Sequence, residues 1–262
     1  WAAGVGWSYW LNWCAYIASE MIAGGIIMHA FVPAVPVIVW AVAFGGVITG
    51  VNLLDVKHFG SVESALALVK IAAIAVFSVL GVLTWLGLAG DRGFLGLTHL
   101  TGGRGWAGAF PAGGGAVLLS MVLILVNFQG TELIALSAAE TENPRESIAA
   151  ATRKVAVRVI AIFVVPLLVV VAVFPYGEAS ASQPLFAAAL ERSGFRLTAA
   201  LFTFVALSAA LSCANSGLYG TVRALYGLGK EGLAPAWVTR LSGAGVPHLA
   251  TGATILTCWL FL

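Results

Sequence analysis

Long apolar runs, each about the length needed to cross a bilayer and separated by short polar breaks, constrain this chain more than any other feature. A span needs about 20 mostly apolar residues to cross ~30 Å of hydrocarbon. Such runs lie at about 2–31, 34–54, 64–90, 114–139, 155–176, 197–220 and from 248 to the end. This pattern predicts six complete spans and one truncated one in a single all-α unit over 1–262. The breaks fall at Pro33 and Pro36, at 55–60, in a glycine-rich stretch at 87–115, in the charged run 140–158, at 175–194 and at 223–248.

Charge agrees with this reading. Only 9% of the 262 residues are charged and 60% are hydrophobic, with a mean hydropathy of +0.99. A soluble domain carries roughly a quarter charged residues, so this chain could not cover its surface against water. The net charge of +2 offers no basic face for nucleic acid, so the bilayer is the expected partner.

Lysine and arginine placement sets the expected orientation. Lys57, Arg145, Arg153, Lys154, Arg158, Arg223, Lys230 and Arg240 follow the second, fourth and sixth spans, which assigns those breaks to the cytoplasm. Arg92, Arg104, Arg192 and Arg196 follow the third and fifth. Loop 90–113, with Arg104 and Trp106, is expected to carry an external surface helix. Residues 224–240 are expected to form an internal interfacial helix with Leu225, Leu228 and Leu233 toward lipid. Trp7, Trp10 and Trp13 read as an interfacial belt, and Cys14, Cys213 and Cys258 as buried small hydrophobes.

Three ionisable residues, Glu20, Lys70 and Glu132, lie inside spans. Each must face protein or water, because an unpaired charge at the bilayer centre costs several kcal/mol, and such residues mark ion or substrate pathways by default. The plainer reading is a structural pair that holds helices together. Asn12, Tyr16, Ser19 and Glu20 share one face of the first helix by their spacing. In the sixth span, Ser208, Ser212, Asn215 and Ser216 line one side, while Ala209, Cys213 and Gly217 offer small residues for close packing.

The fourth span holds the most informative stretch, Val126-Asn127-Phe128-Gln129-Gly130-Thr131-Glu132. It predicts a helix break near Gly130, and irregular backbone at membrane depth survives only where it is buried in protein or lines a cavity. Broken helices near the midplane hold substrates in many secondary transporters. A half-helix N-terminus takes a carboxylate and unwound carbonyls take a cation, which suits an α-amino acid. An ordinary kink filled by Ser and Thr side chains is the other reading.

These residues resemble bacterial amino acid permeases of the amino acid, polyamine and organocation superfamily. The resemblance rests on Phe128-Gln129-Gly130-Thr131-Glu132-Leu133-Ile134 followed by Ala138-Ala139-Glu140-Thr141-Glu142-Asn143-Pro144. It extends to residues 6–13, Asn52-Leu53 with Val56-Lys57 and Phe59-Gly60, Ala67-Leu68-Val69-Lys70-Ile71, residues 211–219, Lys230-Glu231-Gly232 and Gly245-Val246-Pro247. The resemblance implies an incomplete inverted five-helix repeat transporter fold, with these spans as helices three to nine of twelve. The chain opens on Trp1 and stops at Leu262 in an apolar run, so both ends are expected to be cuts. The break of the family's first helix, which supplies half of the substrate cradle, is expected to lie outside it.

The resemblance further implies amino acid import through the cell membrane, with proton symport favoured over exchange or sodium symport. Residues 126–131 would flank the substrate, with Glu132, Asn12 and Tyr16 beside it and Phe128 helping to gate access. Lys70, Glu20 and Glu132 would serve proton coupling. For Lys70, burial without a stable carboxylate partner would ease proton release. No cofactor, metal or enzymatic step is expected. A retinal protein is excluded by the absence of lysine in 249–262, and no HExxH or GxSG motif supports catalysis.

Overall fold

A computed structural model describes all residues except 54–55, 91–92, 103–107, 127, 131, 133–145, 147–148, 150–153, 156, 180–183 and 244, with backbone only at 56–62, 123 and 126. The regular elements among the described residues are helices, with no strand among them. The helices are α1 (Ala2–Phe31), α2 (Val37–Asn52), α3 (Val56–Trp85), α4 (Thr98–Thr101) and α5 (Gly113–Val126). They continue as α6 (Val157–Val173), α7 (Leu185–Arg192), α8 (Arg196–Lys230) and α9 (His248–Trp259). Segments Ala2–Phe31, Glu63–Trp85 and Arg196–Lys230 are long and apolar enough to cross a membrane. The helices fall into two compact units, one of residues 1–70 and 205–262 and one of residues 71–204.

The sequence punctuation is visible in the helix ends. α1 ends at Phe31 and α2 starts after Pro36, because proline fixes φ and suits a helix start while barring the residue before it from the helical region. α6 contains a π-turn at Ile160–Val164, ahead of Pro166. Proline removes an intrahelical donor, and a locally wider turn accommodates that loss.

In the first unit, Trp13, Cys14, Ile17 and Met21 of α1 are buried with Ala41 and Ile48 of α2, Ala214, Leu218 and Leu225 of α8, and Ile255 and Cys258 of α9. Trp10 donates Nε1 to Thr254 Oγ1 at 3.0 Å. The expected tryptophan belt is therefore corrected: Trp10 and Trp13 are 8% and 1% exposed, while Trp7 stays at the surface and donates to the Leu233 carbonyl. A small partner draws Trp13 inward. A Cβ on Gly217 would lie 2.7 Å from Trp13 Cζ3, so glycine there creates the slot that the indole fills.

The expected interfacial helix at 224–240 is also corrected. α8 runs on to Lys230, and only a short 3-10 turn, Ala236–Thr239, follows. Leu225 is 1% exposed rather than facing lipid, because it continues the buried stripe of Leu218 and Val222 at helical spacing. In loop 90–113 the described helical segment of four or more residues is α4, and Arg104 and Trp106 lie outside the described residues.

The second unit is built on Phe77 of α3, Val169, Val170 and Val173 of α6, Ala187, Ala189 and Leu190 of α7, and Ala199 and Phe202 of α8. Phe77 meets Phe186 edge-on with centroids 4.7 Å apart, the geometry aromatic quadrupoles favour.

Gly217→Ala should lower thermal stability despite gaining about 1 kcal/mol of helix propensity, because overpacking against an indole costs about 1–3 kcal/mol. Gly46, also helical, has open space at its Cβ position. Gly46→Ala should therefore not lower stability, and thermal unfolding of both variants in detergent checks the contrast.

Candidate functional site

Two polar sites occupy the helical interior, one in each unit. In the second unit, α5 stops at Val126, and Phe128, Gln129, Gly130 and Glu132 lie in turns. Phe128 N–H donates to the Leu125 carbonyl three residues back at 3.1 Å, so the i→i−4 ladder has ended. Gly130 has φ +103°, a conformation L-residues avoid and glycine adopts freely. α5 thus ends within the stretch where the sequence predicts a break, and the predicted continuation of that span at 133–139 lies outside the described residues.

The freed backbone has specific partners. Gly130 N–H donates to Glu132 Oε2 at 2.8 Å, so the Glu132 carboxylate folds back on the break. The Phe128 ring packs on Phe163 with centroids 5.8 Å apart, and Phe163 belongs to the π-turn of α6. Among the described residues, the buried Gln129 Nε2 has no hydrogen-bond acceptor. An unsatisfied buried donor costs about 1–3 kcal/mol. Of the other expected residues here, Asn127 and Thr131 lie outside the described residues, and only the backbone of Val126 is described.

In the first unit the site is a polar chain linking three helices. Lys70 Nζ of α3 donates to Ser212 Oγ of α8 at 2.6 Å. The Ser212 hydroxyl in turn donates to Glu63 Oε1, and Lys70 Nζ lies 3.6 Å from the same oxygen. Asn215 Nδ2 approaches Glu63 Oε2 at 3.5 Å. Asn52 of α2 donates Nδ2 to Asn215 Oδ1 at 2.8 Å and to the Ile48 carbonyl at 3.0 Å. The first of these turns the Asn215 amide nitrogen toward Glu63.

Glu20 and Tyr16 form a second part of this site. They hydrogen-bond one turn apart on α1, and Tyr16 Oη lies 3.6 Å from Cys213 Sγ. Cys213 is the residue after Ser212 and lies within electrostatic reach of Glu20, Lys70 and Glu63. Asn12 is separate from this cluster, lining an open groove of about 650 Å³ on α1 with Ser8 and Tyr9.

One expectation is corrected. Lys70 is not without a carboxylate partner, because Glu63 sits two helical turns earlier on the same face of α3. Sequence reading missed Glu63 because the apolar run starts at residue 64. The helix, however, begins at Val56, which places Glu63 inside it. The seven-residue spacing to Lys70 was the available signal.

The hydrogen bonds of this cluster add little to stability. Interhelical hydrogen bonds in membranes average about 0.6 kcal/mol, whereas burying each ion of a pair costs several kcal/mol. Three hydroxyl or amide contacts do not offset that cost. The groups nonetheless satisfy one another, which keeps a charged pair tolerable among half-buried side chains.

Gly130→Ala should destabilise the break by about 1–3 kcal/mol, the cost of holding a residue with a Cβ in a sparsely populated backbone region. Glu132→Ala removes the acceptor and should cost about 1–3 kcal/mol more where no other group takes the N–H. Thermal unfolding of both variants measures each effect.

Comparison with known proteins agrees with this architecture. Residues 1–262 match the model of the family described as Amino acid permease. Amino-acid permease RocC of Bacillus subtilis (strain 168) is 36% identical over 251 residues, covering 96% of this chain and 53% of its own length. The gamma-aminobutyric acid permease of the same organism is 38% identical over 243 residues, covering 93% of this chain and 51% of its own length. Lysine-specific permease LysP of Escherichia coli (strain K12) is 34% identical over 265 residues, covering 98% and 53%. The chain spans about half the length of these curated relatives. With a family match over the whole chain and an all-helical polytopic architecture, the chain belongs to the amino acid permease family of integral membrane proteins.

Proposed function

We propose that this chain is part of a secondary transporter that imports an amino acid across the cell membrane by proton symport. Its substrate lies at the break around Gly130. The observation that carries this reading is the end of α5 at Val126, followed by turns at 128–130 with Gly130 at φ +103°. Backbone N–H groups released at such a break bind a carboxylate, and released carbonyls bind a cation. The Glu132 carboxylate on the Gly130 N–H is the interaction a substrate carboxylate would make there. Gln129 Nε2, which has no acceptor among the described residues, is a further donor for it.

In this reading Val126, Asn127, Phe128, Gln129, Gly130, Thr131 and Glu132 flank the substrate, with Asn12 and Tyr16 on α1 contributing from its polar face. Lys70, Glu20 and Glu132 serve proton coupling. An amine is suited to the role because it exchanges a proton and needs no bound metal ion. The seven apolar runs cross the bilayer, with the breaks after the second, fourth and sixth inside the cell.

The named relatives carry different substrates at similar identity, gamma-aminobutyric acid for one and lysine for another. Overall similarity therefore does not choose between them. Pocket shape and a few polar contacts do.

Uptake by the intact permease in proteoliposomes tests the reading, using a competition panel of amino acids at two pH values with and without sodium. The expected result is concentrative uptake that rises with an inward proton gradient and ignores sodium. Sodium-dependent uptake would overturn the coupling assignment, and exchange without concentration would make the protein an exchanger. Lys70→Ala should abolish gradient-driven accumulation while leaving part of substrate binding, and unchanged concentrative uptake by that variant would refute the role of Lys70.

A further inference from the structure

We infer that Ser212 relays the transported proton between Lys70 and Glu63, making Glu63 the group that passes it toward the cytoplasmic end of α3. This rests on the proton-symport reading above and adds two residues to it. The hydroxyl is oriented for this purpose. It accepts from Lys70 Nζ at 2.6 Å and donates to Glu63 Oε1, so one oxygen stands between donor and acceptor with its hydrogen already pointing onward.

The transfer is balanced without any other reactant. The Lys70 ammonium gives one Nζ proton to Ser212 Oγ as the Ser212 hydroxyl proton moves to Glu63 Oε1. A neutral amine, an alcohol and a carboxylic acid result. Glu63 then releases its proton to water. Before and after the transfer the pair has no net charge; release from Glu63 leaves one carboxylate, which is paired again when Lys70 takes up the next proton.

The surroundings support a direction. Glu63 lies seven residues nearer the start of α3 than Lys70, and the positive-inside pattern puts that start in the cytoplasm. Asn215, itself held by Asn52, approaches the other carboxylate oxygen, which leaves Oε1 to Ser212 and Lys70. The titratable groups facing the relay are Glu20 and Tyr16 of α1 and Cys213 of α8. Cys213 adjoins Ser212, and Glu20 reaches Cys213 through Tyr16. A structural ion pair would need no bridging hydroxyl, since Lys70 and Glu63 already lie 3.6 Å apart.

The test uses the intact permease in proteoliposomes loaded with a pH-sensitive dye. External addition of an equimolar mixture of the standard amino acids plus 4-aminobutyrate starts transport. Proton entry is measured per amino acid moved, alongside the exchange of preloaded amino acids. Ser212→Ala and Glu63→Gln should each cut proton entry per amino acid by about a hundred-fold, the lower end of what a positioned proton-transfer group contributes. Ser212→Thr should restore it. Ser78→Ala on α3, whose hydroxyl donates to the Ile74 carbonyl of its own helix, should match the wild type.

Ser212→Cys keeps the volume while weakening the donor, and it carries the same expectation should the alanine variant fail to reconstitute. Wild-type proton entry together with an unchanged ratio in Ser212→Ala or Ser212→Cys and in Glu63→Gln would overturn the relay alone. Amino acid movement by the wild type without proton entry would overturn the symport reading and the relay with it.

Discussion

Hydrocarbon offers no hydrogen-bond partner, and the whole arrangement depends on that constraint. Every polar group placed at depth must be satisfied by the chain itself. The hydroxyls of Thr49, Ser78, Thr84, Thr221, Thr251, Thr254 and Thr257 obey it in the simplest way, each donating to a carbonyl four residues back. Such hydroxyls cost little and say little about function. The polar groups that cannot be settled within one helix are therefore the informative ones. Lys70, Glu63, Ser212, Asn215 and Asn52 need three helices to satisfy one another, and the Gly130 N–H takes a side-chain carboxylate, that of Glu132, in place of a helical carbonyl.

Much of the architecture was legible because proline and glycine act locally. Pro33 and Pro36 mark the gap between α1 and α2, and Gly130 marks the break, since backbone geometry at those positions depends on the residue itself. Tertiary packing was not legible. Trp10 and Trp13 have the composition of an interfacial belt, yet Gly217 and Thr254, more than 200 residues away, draw them inside. Leu225 likewise belongs to a stripe that continues past the last strongly apolar window of α8, so a span reading ends the helix a turn or more too early.

The candidate site was half readable for the same reason. Lys70 stands out as a lone amine in an apolar run, and Tyr16 with Glu20 stands out by helical spacing. Glu63 does not stand out, because it sits at the edge of its run, where charged residues are ordinary. Its significance comes from Ser212 and Asn215, contributed by a helix some 150 residues later. The sequence shows which groups are costly, while the fold shows which ones share the cost.

The π-turn at Ile160–Val164 has a geometric consequence for α6. A wide turn takes in one additional residue with little added length, so the helix beyond it is rotated by about 100° relative to an unbroken α-helix, one residue's worth of angle. Val157 and Arg158 therefore follow a different angular phase from Val169, Val170 and Val173, which face the core. Any assignment of faces by periodicity must restart at Val165. Phe163 sits inside this phase change, which lets a single helix present one register to the packed interior and another to the ring of Phe128.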